Sequence, residues 1–234
     1  MMRTPRLRQQ GISLFIVMVV LLLSMLLVLW SSRTALFNEL LTGTDSDYQR
    51  ALEAAQAMVR DAEFDIRGQK PDGSGCSGAF CRPQVIDPSQ GQAFYPESTN
   101  DFQDLDAALG ARTPSCLAGI CTATNVAAEF WMTATSLGVM KASAATYGRF
   151  TGAQSGEVGN PLLKTTAGAE AKAWYWVEVL PYDTTSAVVA GPAQTFAPDS
   201  TRPNIYRITA VAQGLKPGTQ AVVQSVFVWK KVSS

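Results

Sequence analysis

The sequence predicts an α+β fold, with the C-terminal half of a long N-terminal α-helix packed on an antiparallel β-sheet and loop-rich, disulfide-containing insertions between them. Three observations predict it. Residues 12–67 carry one helical pattern, apolar all round at first and amphipathic later. Residues 173–230 hold three runs of aromatic and β-branched side chains, the composition of strands. The intervening chain is punctuated by Pro71, Pro83, Pro88, Pro96 and Pro114 and contains all four cysteines.

Residues 1–11 are polar and basic, with Arg3, Arg6 and Arg8. From Ile12 to Trp30, 17 of 19 residues are apolar, Ser13 and Ser24 being the exceptions. As a helix this run spans roughly 28 Å, close to the hydrocarbon thickness of a bilayer. The leader arginines place the N-terminus in the cytoplasm by the positive-inside rule. A secretory signal peptide fits less well, because the run is long and no small-x-small cleavage site follows it. A plain signal anchor has the same hydropathy and stays open.

The helical pattern then continues. Tyr48, Ala51, Leu52, Ala55, Met58, Val59, Ala62 and Ile66 recur at helical spacing and predict a buried face. Gln49, Arg50, Glu53, Arg60, Asp61 and Asp65 are expected on the opposite, solvated face. Gly43 weakens a helix, and Ser46 with Gln49 fits a capping box for a restart. The prediction is either one rod of roughly 80 Å or two collinear segments. Gly68, Pro71 and Gly73 end it.

Residues 69–122 are expected to be mostly loop. The pairs Cys76/Cys81 and Cys116/Cys121 share one spacing, and an even count behind a membrane-targeting segment reads as disulfides. Three connectivities exist, of which the local one is favoured; a four-thiolate zinc site is the rival. A short helix is expected over residues 101–109 with Gly110 as its stop. Its cluster Asp101, Asp104 and Asp106 lacks the spacing of a calcium loop and suits a helix N-terminus. Residues 125–147 read as a helical stretch broken near Gly138. The strands are then expected at residues 174–180, 205–212 and 221–229, with a hairpin connection at 213–219 and a longer loop over 181–203.

Formal net charge is zero, so nothing points to nucleic acid. Histidine is absent, which removes Ser-His-Asp and Cys-His arrangements and the commonest metal ligand. No phosphate-binding loop or dinucleotide fingerprint is present. The expectation is a non-enzyme with no catalytic residue, no metal and no cofactor.

The phrase Gln10-Gly11-Ile12-Ser13-Leu14, a glycine between a basic leader and an apolar helix, resembles a type IV prepilin. Leu41-Thr42-Gly43, Ala51-Leu52-Glu53-Ala54-Ala55-Gln56-Ala57 and Arg60-Asp61-Ala62-Glu63 resemble the N-terminal region of PilX-type minor pilins, relatives of the K-type pseudopilins of type II secretion. Tyr147-Gly148-Arg149-Phe150-Thr151-Gly152-Ala153 and the three C-terminal runs resemble the same family. The resemblance implies a pilin-like fold, cutting by a prepilin peptidase after Gly11, and methylation of the new N-terminus at Ile12. Removal of the leader would leave 16 of the 19 basic side chains against 19 acidic ones. Most pilins carry a glutamate as the fifth mature residue, where it pairs with a neighbour and registers the shaft. Here that position is Ile16.

The expected organisation is a leader (1–11), a transmembrane and filament-core helix (12–30), an amphipathic helical half (31–67) and a head (68–234). Within the head lie the disulfide region 69–122, a helical region 123–150 and a sheet over 173–230. By resemblance the protein is a minor pilin that helps prime and cap a type IV pilus within a tip complex, supporting biogenesis, twitching motility and adhesion. Its implied partners are the other minor pilins and the major pilin through the N-terminal helix, a tip-associated adhesin, the prepilin peptidase, and the inner membrane before assembly. The head would lie in the periplasm and later on the extracellular pilus. The alternatives are a K-type pseudopilin and a static membrane-anchored binding or adhesion module.

Overall fold

The computed structural model describes residues 12–123, 126–153, 159–165, 170–182 and 197–230. The leader 1–11, with Gly11, and most of the loop expected over 181–203 lie outside the described residues. The chain divides into two compact units, with the boundary in sequence between Ser46 and Asp47. The first is helical from Ile12 onward, and every described side chain from Ser13 to Glu39 is exposed.

Helix α1 spans Ile12–Arg67. Backbone around Gly43 is helical, so the restart signal at Ser46 is not used. The end is sharp. Gly68 turns to φ +60°, its N–H donates to Asp65 O (3.0 Å), and Gln69 N–H donates to Phe64 O (2.9 Å). These two bonds satisfy carbonyls of the last turn, and only glycine adopts that φ without strain.

The second unit is layered. Its sheet has five strands in the order β1 (Cys116–Leu117), β2 (Ile120–Thr122), β3 (Ala173–Pro181), β4 (Asn204–Gln213) and β5 (Gln220–Val228). The expected three-stranded sheet is thus extended by two short strands from the region read as loop. Their sequence is too short to show a strand period, and what makes them strands is pairing. β1 and β2 form an antiparallel hairpin at Cys116↔Cys121, and β2 then runs parallel to β3 at Ile120↔Val177. Gly119 lets this hairpin approach closely. Its φ is +84°, and a Cβ there would lie 2.6 Å from Ala145 Cβ.

Alternation along the strands separates two faces. Tyr175, Val177, Val179, Tyr206, Ile208 and Ala210 join Ala51, Ala54, Ala55, Met58 and Ala62 of α1 in the main core. Trp174, Trp176 and Val211 face a smaller cluster with Phe130, Leu137 and Met140. The last three come from a 3-10 turn, Phe130–Met132, and helix α3, Ala134–Lys141. The single broken helix expected over 125–147 is therefore corrected. The helix starts at the Thr133 cap, whose hydroxyl accepts from Ser136 N–H (3.2 Å), and Gly138 sits inside it. Helix α2 spans Thr99–Gly110. Ser98 and Asp101 form a reciprocal capping box, which is the work of the acidic first turn.

Candidate functional site

Two features of the chain stand out, one in each unit. The first is the apolar surface of α1. Ile12 opens the helix, and Ile16, fifth from it, is 55% exposed, with no charged residue between Gly11 and Arg33. A helix apolar on all sides is suited to lipid or to other helices and not to water. It is the one described helix long and apolar enough to cross a membrane.

The second is a buried ionic centre in the head. Asp61 and Asp65 are only 2% and 4% exposed, which overturns their expected place on the solvated face. Asp65 receives a bidentate guanidinium. Arg82 Nε donates to Oδ1 at 2.8 Å and Nη2 to Oδ2 at 2.7 Å, and the two side chains are 5% and 1% exposed. Tyr175 (2.6 Å) and Tyr95 (3.1 Å) also donate their hydroxyls to Asp65 Oδ2. Arg82 donates further to Ala118 O (2.8 Å), and its guanidinium carbon sits over the Phe150 ring, 3.8 Å from the centroid. With its charge paired and both oxygens hydrogen-bonded, Asp65 meets the condition under which a buried carboxylate is tolerated.

Asp61, one turn earlier, forms no ion pair among the described residues. It accepts from Gly148 N–H (2.8 Å) and from the Thr151 hydroxyl. Burial pushes its carboxyl up to about 6, against these two hydrogen bonds, and the neighbouring Asp65 charge adds to the rise. Burial also raises the Tyr95 and Tyr175 hydroxyls well above the ordinary value, so both remain donors. For Arg82 burial opposes the charge, but the Asp65 carboxylate outweighs it and the guanidinium is held charged. A third aspartate, Asp47, accepts from Lys216 and Leu215 N–H, each at 2.9 Å, and ties α1 to the β4–β5 hairpin.

The centre joins five stretches of the chain: α1, the Cys76–Cys81 loop with Arg82 at its exit, the loop carrying Tyr95, the 148–151 turn and β3. Cys76 and Cys81 are bonded (S–S 2.09 Å), as are Cys116 and Cys121 (2.03 Å), so the pairing is local and the thiolates of a zinc site are consumed. The second bond lies in the β1–β2 hairpin, whose residue Ala118 supplies a carbonyl to Arg82. The site residues anticipated from the sequence thus fall apart into an apolar helix and two disulfide loops. Asp61, Asp65, Arg82, Tyr95, Tyr175 and Thr151 were not anticipated. A signal for the aspartates exists, because Asp47, Ala51, Ala54, Met58, Asp61 and Asp65 fall on one helical stripe.

Comparison with known families adds one finding. Residues 96–229, more than half of the chain, match the model of the family described as type IV pilus assembly protein PilX, C-terminal region. No curated protein and no solved structure matches the chain.

Proposed function

Since the chain belongs to the PilX family of type IV pilus assembly proteins, we propose that it is a minor pilin that primes and caps the filament, a structural and not a catalytic subunit. The observation that carries this reading is the exposed apolar helix with an isoleucine at position 16. A lone carboxylate at that membrane depth costs a few kcal/mol unless paired. A shaft subunit uses such a carboxylate for register, and a starter has no subunit before it to register against.

The mechanism follows from the solvent each part requires. Arg3, Arg6 and Arg8 hold the leader on the cytoplasmic side, and the head is exported to the periplasm. The peptidase cuts after Gly11 and frees Ile12 for methylation. The apolar helix then leaves lipid for a bundle with the helices of the other minor pilins and the major pilin, exchanging lipid contacts for close helix packing. Twitching and adhesion follow from the filament so started. Deleting the gene is expected to abolish or sharply reduce surface pili while major pilin persists in the inner membrane. Normal piliation of the deletion strain would overturn the priming role.

A further inference from the structure

Among the described residues the outer edge of β5 carries no strand partner. β4 pairs with β5 from Ile205↔Val228 to Gln213↔Gln220, and at the hairpin Gly214 N–H donates to Thr219 O (2.9 Å). Odd-numbered residues of β5 therefore turn their backbone groups toward β4. By antiparallel alternation Gln220, Val222, Gln224, Val226 and Val228 turn theirs outward. Just past β5 the odd-numbered Trp229 keeps to the same alternation, its carbonyl accepting from Asp199 N–H at 3.0 Å on the β4 side. The open edge contains no proline, no charge and no interruption of register, the usual protections of an edge. The opposite edge, β1, is two residues long and closed by a disulfide.

This edge is complementary to itself. The five outward positions are symmetric about Gln224. Antiparallel pairing of two copies centred there sets Val222 against Val226 of the second copy, and Gln220 against Val228. The β-branched pairs are favourable, and no like charges meet. Val226, 63% exposed, would gain a neighbour. We propose that β5 pairs with β5 of a second copy in a two-fold contact that joins the two sheets into one. The contact rests on the head alone. The minor-pilin reading adds that copies anchored in one membrane meet at raised effective concentration, and such a contact closes at the dimer.

The test uses the full chain in liposomes. All four native cysteines are disulfide-bonded, so a new thiol reports cleanly. Under mild oxidation Gln224→Cys is expected to cross-link to a covalent dimer. Val222→Cys mixed with Val226→Cys should cross-link while either alone does not, which tests register. Adding Val226→Lys to Gln224→Cys should abolish the dimer. A monomeric Gln224→Cys, or one that cross-links no more than Leu215→Cys at the hairpin tip, overturns the proposal. So does transfer of the cross-link to a different protein in native membranes. If the variant loses its native disulfides, hydrogen exchange of the unaltered chain decides instead. The amides of Val222 and Val226 are protected in the dimer and exchange fast if the edge is open. None of these outcomes depends on piliation, so failure here leaves the priming role to its own test.

Discussion

Arg82 is the residue on which the head most depends, because among the described residues it alone forms an ion pair with the buried carboxylate of Asp65. Its Nε and Nη2 hold Asp65, and its remaining donors reach carbonyls of two separate loops. Arg82→Met is expected to destabilise the head by about 3–5 kcal/mol at neutral pH, the cost of a buried charge left unpaired. Urea unfolding of the detergent-solubilised chain checks this, and Asp65→Leu combined with Arg82→Met should recover much of the loss. Asp61 behaves differently. Its folded carboxyl titrates near 6 against an ordinary 3.8, so between those values the folded state binds more protons than the unfolded one. Stability contributed at this position therefore falls as pH rises from about 4 to about 6, by roughly 3 kcal/mol, and is level above that. Asp61→Asn should flatten the change in unfolding midpoint between pH 5 and pH 7. An unaltered slope in the variant would place the titration elsewhere.

At the scale of elements, two glycines with different surroundings give opposite expectations. Gly138 lies inside α3 with open space around its Cα, so Gly138→Ala should raise stability by about 0.5–1 kcal/mol. Gly119 faces Ala145 at contact distance and has φ +84°, so Gly119→Ala should lower it by about 1–3 kcal/mol. Thermal unfolding of the two variants against the parent chain tests both signs. These positions also show how much of each element was legible. The break expected at Gly138 rested on propensity. In the folded head Leu137 and Met140 pack against Trp174 and Trp176 and hold the helix across it. β3, β4 and β5 were legible because long runs of β-branched residues announce themselves. β1 and β2 were not, because two or three residues hold a strand only through the neighbour they bond to.

For the molecule as a whole, family membership rests on the head, whereas the membrane reading rests on the helix. The match covers residues 96–229 and the apolar run ends long before it. The two meet in one expectation about processing. Mass spectrometry of the chain purified from membranes should give a form that begins at Ile12 and carries one added methyl group. An intact Met1 would favour a static anchor. Asp47 gives the head its own hold on the helix. It takes two N–H groups of the β4–β5 hairpin, and a side chain at Gly214 would collide with its carboxylate.

By itself the sequence determined the N-terminal helical stretch, its apolar first half and the three long strands, and it favoured disulfides over a zinc site. Each is a local pattern of period, composition or spacing, readable without knowledge of what lies opposite. Only the tertiary structure decided that Asp61 and Asp65 point inward. An aspartate in a helix reads as a solvated residue until a partner from elsewhere in the chain removes the cost of burying it. Arg82 sits beyond a disulfide loop, Thr151 in a later turn and Tyr175 on a strand. The alanines around the aspartates are the local trace of that arrangement, since small side chains let the sheet come close. What they could not show is the cation on the other side.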